Sequence, residues 1–205
     1  FTLNNTPAIN PQLQNQPGYR KLILEFNKNL TMKFQLAQAV EILSRTPEVL
    51  NSLLGNLSDE WTMKSQDAEN WSPFDVVGHL IHGEETDWIP RVRIILAQDE
   101  NCAFDPFDRF AQFDKSKDKT LSELLETFAE RRRESLEILN SWRLTDAQLN
   151  LKGAHPELGE VTLEQLLATW VVHDLTHIRQ IVAVMAKKYT DSVGAWKAYL
   201  SILQG

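Results

Sequence analysis

Residues 161–188, VTLEQLLATWVVHDLTHIRQIVAVMAKK, form the longest uninterrupted helical pattern in the chain and decide its fold class. Their apolar side chains recur at steps of three and four residues, which predicts one amphipathic helix with a single buried face. That face carries Leu163, Leu166, Leu167, Trp170, Ile181 and Val184. With Thr162 as its N-cap, the segment predicts a long helix that packs on a core.

Two histidines, His173 and His177, fall on the same apolar stripe. A spacing of four residues stacks their rings on one face, roughly 6 Å apart along the helix axis, so both can reach one ion. Imidazoles that face inward from an apolar helix are typical of a metal site in a helical bundle. The alternative is a pair of core histidines hydrogen-bonded to Asp174 or to a backbone carbonyl. The four-residue spacing of the two histidines favours the metal site over this alternative.

The composition fits one substantial domain. Of the 205 residues, 42% are hydrophobic, which is enough for a real core. The formal net charge is −7 with both signs interspersed, so the sequence has no basic footprint for nucleic acid. No apolar run approaches the roughly 18 residues of a membrane span and no secretory segment opens the sequence, so we expect no membrane partner. Cys102 is the only cysteine, which excludes an intramolecular disulfide and favours a cytoplasmic protein.

Two helices are predicted in the first half of the chain. The first begins near Met32 and ends at Gly55, and Pro47 either kinks it or restarts it. The second runs over residues 72–98 and is expected to bend at Pro90. The start of the first predicted helix, near Met32, is also the predicted start of the folded domain.

A third helix is predicted over residues 120–142, and a short one over 191–203 is expected to cover the bundle with its aromatic side chains. Residues 99–117 carry no period and are long enough for a crossover connection. Four phenylalanines are expected to pin that segment across one end of the bundle: Phe104, Phe107, Phe110 and Phe113. Residues 1–31, rich in Asn, Gln and Pro, predict an extended arm before a domain at 32–205.

Arg132 lies on the buried stripe of the third predicted helix. The commoner outcome for such an arginine is that its side chain extends to the solvent or forms an ion pair with a buried carboxylate of the second helix. The other outcome is that its fork of donors holds an anionic group of a substrate near the metal. Acids of the second helix that could act as a general base are Glu84, Glu85 and Asp87.

Three blocks of the sequence occur in a recognisable order: WSPFDVVGHL at 71–80, HPELGEVTLEQLL at 155–167 and HDLTHIRQI at 173–181. Together they resemble the DinB/YfiT-like superfamily, in its DinB-like branch, over most of the chain from Met32 onward. The resemblance implies an all-α fold, a four-helix bundle with a long crossover connection, which a short C-terminal helix follows here. It also implies a homodimer as a candidate assembly, since many members form dimers.

The resemblance further implies one divalent transition metal, nickel or zinc in most members, held by three histidines. Carried over residue by residue, these are His79, His173 and His177. Periodicity does not place His79 inside the bundle, because it lies well around from the main apolar stripe of the second helix. The third ligand therefore comes from the resemblance, which assigns neither His82 nor His155.

Three neutral imidazoles leave an open position on an ion, as in catalytic rather than structural zinc sites. The resemblance favours a thiol S-transferase that uses a low-molecular-weight thiol, with Arg132 on a carboxylate of that thiol. A metal-dependent hydrolase is the alternative, with Glu84, Glu85 or Asp87 as its base and Glu85 the one singled out. A non-catalytic metal-binding protein of the stress response is the third hypothesis.

Overall fold

Every helix of the predicted bundle is present in the computed structural model, which describes residues 32–65, 71–100 and 102–204. The helices are α1 Leu36–Leu54, α2 Asp59–Thr62, α3 Pro73–Thr86, α4 Trp88–Ala97, α5 Ala111–Ser116, α6 Leu121–Ser141, α7 Asp146–Leu149 and α8 Leu163–Lys187. Two strands, β1 Lys152–His155 and β2 Gly159–Thr162, precede α8. The short 3-10 segments Gly194–Tyr199 and Ser201–Leu203 follow it. The predicted arm at 1–31 lies outside the described residues, so its boundary stays a prediction.

The bundle consists of α1, the consecutive pair α3 and α4, α6 and α8. Helices α1 and α3 each pack against both α6 and α8. The central apolar cluster joins side chains from all of these layers, including Leu50, Leu80, Phe128 and Ile181, each no more than 1% exposed. The all-α four-helix bundle is therefore confirmed, and the long connection between α4 and α6 is the one that the sequence predicted.

Pro47 lies inside α1, which runs unbroken from Leu36 to Leu54. The sequence predicted a kink or a restart here, and the helix does not restart. A proline has no N–H to donate to the carbonyl four residues earlier, so the carbonyl of Leu43 is left without its helical partner. Nη1 of Arg132 in α6 donates to that carbonyl at 2.9 Å. The proline thus opens an acceptor that a buried arginine uses.

The second predicted helix is divided at Asp87 into α3 and α4. Ser72 caps α3 through a reciprocal capping box with Asp75, and Pro73 occupies the first turn. Pro90 lies in the first turn of α4, where its missing N–H costs no helical hydrogen bond. The proline therefore sets the start of a new helix three residues upstream of itself.

Helix α8 matches its prediction closely. Thr162 is its N-cap and forms a capping box with Gln165. All six apolar residues of the predicted face are buried: Leu163, Leu166, Leu167, Trp170, Ile181 and Val184. The periodicity of the sequence was sufficient here because the helix has one wide apolar face.

The loop before α8 is a β-hairpin, which the sequence analysis described only as a shaped loop. Strands β1 and β2 pair antiparallel, from Lys152 opposite Thr162 to His155 opposite Gly159. Gly153 has to be a glycine because a Cβ there would lie 2.7 Å from the ring of Phe104. Strands of four residues are too short to produce a readable alternation, so the hairpin had no clear sequence signal.

The aromatic residues of the long connection divide into two groups. Phe104 is buried and Phe107 is half-buried, so these two pin the segment as predicted. Phe110 and Phe113 are 63% and 41% exposed, and the prediction that they pin it is wrong. Both lie at or in α5, a helix that the sequence analysis did not predict.

The C-terminal segment, predicted as a short helix that covers the bundle, also differs from its prediction. The segment forms two 3-10 turns, and Trp196 and Tyr199 are 73% and 78% exposed. Their rings contact each other instead of covering the core. Among the described helices, none is at once long enough and apolar enough to cross a membrane.

Candidate metal centre

Three histidines from two helices meet between α3 and α8. His79 of α3 and His173 of α8 have their Nε2 atoms 3.1 Å apart, and the Nε2 atoms of His173 and His177 are also 3.1 Å apart. One nitrogen from each of the three rings lies within 4.8 Å of the others. We call these residues the histidine cluster. The structure thus brings together the three residues that the sequence analysis named.

The spacing of these nitrogens suits a single metal ion. Two imidazole nitrogens bound to a tetrahedral ion, each at about 2.0–2.1 Å, lie about 3.3–3.4 Å apart. The observed 3.1 Å is close to that value. It is also a distance at which two nitrogen lone pairs repel each other unless a proton or a cation lies between them. The cluster is therefore able to hold a divalent ion.

Burial keeps these imidazoles neutral. Burial and, to a smaller extent, the neighbouring histidines lower the pKa of His79 to about 3 and that of His173 to about 2. The pKa of His177 is also lowered, chiefly by burial. A neutral imidazole has one nitrogen free to bind a metal, whereas an imidazolium has none. The fold therefore presents the three rings in the protonation state that metal binding requires.

Aromatic rings hold the cluster in place. Trp71 lies 4.9 Å from the His79 ring on one side, and Phe107 meets the same ring edge-on at 5.4 Å. Trp88 contacts His173 edge-on at 5.1 Å and stacks on Trp170 at 5.6 Å. These contacts fix the ring orientations and remove water, which is the origin of the lowered pKa values.

Gln180 fixes the orientation and tautomer of His177. Its Oε1 accepts from Nδ1 of His177 at 2.8 Å, so the ring proton lies on Nδ1 and Nε2 keeps its lone pair. Such an outer hydrogen bond is the usual way in which a protein orients a metal-binding histidine. The sequence analysis missed Gln180, although its position three residues after His177 in a helix places the two on one face.

The other two histidines lie outside the cluster. His82, three residues after His79, is buried against Phe107, and its Nδ1 faces Lys115 Nζ at 3.2 Å. His155 lies in the hairpin, where its Nδ1 accepts from the backbone N–H groups of Glu157 and Leu158. Neither residue was predicted as a ligand.

Arg132 of α6 occupies a second buried polar cluster, which includes Asp174, the residue after His173 in α8. Its Nε and Nη2 donate to Glu84 Oε1, while Nη1 and Nη2 donate to the two carboxylate oxygens of Asp174. Trp170 Nε1 also donates to Glu84 Oε1, at 3.0 Å. We call Arg132, Glu84, Asp174, Trp170 and the Leu43 carbonyl the arginine cluster.

All five N–H donors of Arg132 are used within that cluster, and its side chain is 1% exposed. Burial tends to lower the pKa of Arg132, but Glu84 and Asp174 outweigh it and raise the pKa, so the guanidinium stays charged. No donor remains for a substrate. Of the two outcomes predicted for Arg132, the contacts are those of the structural ion pair, with Asp174 as an additional partner.

The three acids proposed as a base lie in different surroundings. Glu84 belongs to the arginine cluster, and Glu85 is a partly exposed ion-pair partner of Lys115 and Arg131 at 2.8 and 3.7 Å. Asp87 lines a cavity together with His79 and His173. Of the three candidate bases, Asp87 is the one that lines this cavity, and the choice of Glu85 stays a prediction.

That cavity, the inner chamber, has a volume of about 300 Å³ and borders the histidine cluster. Its apolar and aromatic walls are Trp88, Phe104, Phe107, Leu158, Val161 and Leu166. Asp87 lies at its wall and pairs with Arg91 at 2.7 Å. Burial raises the pKa of Asp87, although Arg91 and His155 oppose the shift. The chamber therefore combines an apolar surface with one carboxylate of increased basicity.

A second cavity, the outer chamber, borders the cluster from another side. Its volume is about 590 Å³, and His79, His173, Phe107 and His155 line both chambers. The remaining residues of the outer chamber include Trp71, Arg109, Glu157, His177 and Gln180. The nitrogens of the histidine cluster thus lie between an apolar chamber and a polar one.

Comparisons with known proteins agree with this architecture. The family model of the DinB superfamily matches residues 42–181. Among solved structures, YfiT from Bacillus subtilis has a TM-score of 0.63 at 23% sequence identity, over 77% of this chain and 90% of that one. YfiT is described as a probable metal-dependent hydrolase with an unusual four-helix bundle topology. At this identity the likeness establishes the fold, and no curated protein matches the chain.

Proposed function

This chain belongs to the DinB superfamily, and we propose that it is a metal-dependent hydrolase whose ion is held by His79, His173 and His177. The observation that carries the proposal is the convergence of three neutral imidazole nitrogens beside two cavities. When bound, a divalent ion with three histidine ligands keeps an open position and lowers the pKa of a water or thiol there. Nickel and zinc both suit such a set of imidazoles.

The protein's own residues supply the rest of the proposed chemistry. Asp87 is the candidate general base, since its carboxylate lies on the chamber wall shared with His79 and His173 and its pKa is raised by burial. The apolar walls of the inner chamber exclude water around the reacting group. The description of YfiT as a probable metal-dependent hydrolase supports this choice of reaction.

Thiol S-transfer, which the sequence analysis favoured, is the second candidate. The observation in its favour is that both chambers border the same nitrogens. A transfer reaction has two substrates, and two chambers can hold a thiol and an electrophile on either side of the cluster. In this case Asp87 is not required, because a thiol bound to a divalent ion is deprotonated without a base.

Elemental analysis of untagged protein, purified without chelator, tests the metal site. We expect close to one nickel or zinc per chain, and its loss in His79→Ala. His82→Ala is the matched control, since His82 is buried on the same helix but lies outside the histidine cluster. A wild-type protein that binds no metal after reconstitution, or equal metal loss in both variants, would contradict the site.

The reaction is tested on the metal-loaded protein with two assays. One follows hydrolysis of 4-nitrophenyl esters, and the other follows conjugation of a small thiol to a chlorinated dinitrobenzene. Hydrolysis that falls about 100-fold or more in Asp87→Asn, at unchanged metal content, supports the hydrolase. Thiol conjugation that depends on His79 and is unaffected by Asp87→Asn would support the transferase instead.

A further inference from the structure

Arg109 is an exposed arginine that the sequence analysis did not consider. It lies in the long connection before α5 and lines the outer chamber. Its guanidinium carbon is 5.7 Å from the centre of the Trp71 ring, and the Trp71 ring also lies 4.9 Å from the ring of His79. The charge of Arg109 is close enough to His79 to contribute to the lowering of its pKa. Trp71 therefore positions a guanidinium beside the histidine cluster.

The donors of Arg109 are unused in the described part of the chain. Its recorded contacts there are with the rings of Trp71 and Phe110, and no carboxylate forms an ion pair with it. The adjacent Asp108 is turned to the backbone, where its Oδ1 accepts from the N–H of Phe110. A guanidinium presents its donors as a fork that matches a carboxylate, and stacking on aromatic rings leaves that fork free.

The two chambers offer different chemistry to one ligand. The inner chamber of about 300 Å³ is walled mainly by rings and aliphatic side chains, with the Asp87–Arg91 ion pair at its wall, and an apolar cavity of about 150 Å³ already accepts benzene. Arg109 lies in the outer chamber, and Glu157 brings one negative charge to the same chamber. This arrangement suits a ligand with one anionic group rather than one that is anionic at both ends.

We propose that the substrate is a small amphiphilic carboxylate whose apolar group fills the inner chamber while its carboxylate pairs with Arg109 in the outer chamber. The reacting bond then lies between the two ends, over the nitrogens of the histidine cluster. The inference rests on the proposed metal-dependent function and adds a substrate class to it. It also transfers to Arg109 the anion-binding role first considered for Arg132.

Calorimetric titration of the zinc-loaded protein with phenylacetate and with 2-phenylethanol tests the carboxylate end. The two probes share a ring and differ in charge. We expect phenylacetate to bind about 10-fold tighter or more, as one charge-assisted hydrogen bond provides. Arg109→Met should abolish that preference. Arg93→Met should keep it, because Arg93 is also an exposed arginine but lines neither chamber.

A preference for phenylacetate that survives in Arg109→Met would overturn the inference, since the carboxylate would then be held by the ion. Equal binding of both probes to the wild-type protein would overturn it as well. The apolar end is tested with Val161→Trp, in strand β2, where an aromatic residue suits the backbone. This variant should weaken phenylacetate but leave acetate unchanged, and equal effects on both would contradict the assigned orientation.

Zinc content is measured on every sample before titration, which separates the two proposals. A wild-type protein without zinc contradicts the proposed function. A zinc-loaded Arg109→Met protein that binds both probes as the wild type does contradicts only the substrate class. Circular dichroism of each variant shows that a lost preference does not come from a lost fold.

Discussion

The histidine cluster and the arginine cluster are two buried polar groups built from adjacent residues, His173 and Asp174, of the same helix. In the arginine cluster every donor of Arg132 has an acceptor, and both carboxylate oxygens of Asp174 accept from it. In the histidine cluster three Nε2 atoms face one another. The first cluster supplies an acceptor for every donor of Arg132, whereas the second brings together three nitrogens that need a proton or a cation between them.

This difference gives the two clusters different roles in one core: the arginine cluster stabilises the fold, and the histidine cluster is available to a ligand. A buried polar group is stable when it is paired, and an unpaired one costs roughly 1–3 kcal/mol. A cluster that is paired internally fixes the relative positions of α3, α6 and α8, the helices that carry Glu84, Arg132 and Asp174. The neighbouring cluster can then remain incomplete, because those helices hold His79 and His173 in place. The arginine cluster is therefore a positioning device for the metal site.

Among single substitutions, the largest expected effect is that of Arg132→Met, which breaks the arginine cluster. Glu84 and Asp174 would stay buried without their cation, and removal of one partner from such a group costs about 3–5 kcal/mol. Urea unfolding followed by circular dichroism measures the loss. Arg133→Met is the control, since Arg133 pairs with Glu137 on the surface, and it should leave the free energy of unfolding essentially unchanged. If the Arg132→Met protein is as stable as the wild type and loses only turnover, Arg132 binds substrate and the structural interpretation is wrong.

Protonation of the histidine cluster at acid pH should destabilise the metal-free protein. The unfolded chain protonates its histidines near pH 6.5, whereas the folded pKa values of His79 and His173 are about 3 and about 2. The free energy of unfolding is therefore unaffected above pH 6.5. It falls as the pH drops from there towards 3, by roughly 1.4 kcal/mol per pH unit for each of these histidines.

Urea midpoints of chelator-treated protein between pH 7 and pH 4 measure that slope. The double variant with His79→Ala and His173→Ala keeps the carboxylates, which also titrate in this range, so the difference between the two slopes belongs to the histidines. Identical slopes would show that these rings are not buried as neutral imidazoles.

Trp170→Phe tests a single hydrogen bond of the arginine cluster. It removes the indole N–H that donates to Glu84 and keeps an aromatic ring against Trp88. A lost hydrogen bond to a buried carboxylate costs about 1–3 kcal/mol, measured by urea unfolding. Trp196→Phe, at a site 73% exposed, should have no measurable effect. Equal stability of the two variants would mean that the indole N–H adds nothing to the cluster.

The smallest expected effect is on the outer hydrogen bond of the histidine cluster. Gln180→Leu leaves Nδ1 of His177 without its acceptor, and such a change lowers metal affinity about 10–100-fold. Competition with a chromophoric chelator measures the affinity. Arg179→Gln, an exposed neighbour on α8, is the control. Unchanged affinity in Gln180→Leu would show that the aromatic rings alone orient His177.

Much of the fold was readable from periodicity. The apolar face of α8 is buried as predicted because a helix with one wide stripe buries the same residues in any bundle. The hairpin at 152–162, helix α5 and the exposed positions of Phe110 and Phe113 were not readable. These short segments are held by contacts with distant parts of the chain, such as the ring of Phe104 over Gly153.

The candidate site divides in the same way. The four-residue spacing of His173 and His177 follows from helix geometry and was visible in the sequence. His79, 94 residues before His173, was available only through the family resemblance. Glu85 was chosen for its residue type, and Arg132 for its residue type and its place on an apolar stripe. Asp87 and Arg109 have the relevant positions because the break at Asp87 and the path of the long connection turn them towards the chambers.

By itself, then, the sequence determined the helical class, the caps and the histidine pair, since these depend on neighbours within a few residues. The cytoplasmic location, the domain boundary near Met32 and the homodimer stay predictions. The tertiary structure decided which polar groups are paired and which are left to a ligand. That choice depends on packing between helices: the carbonyl freed by Pro47 meets Arg132 only because α1 lies against α6.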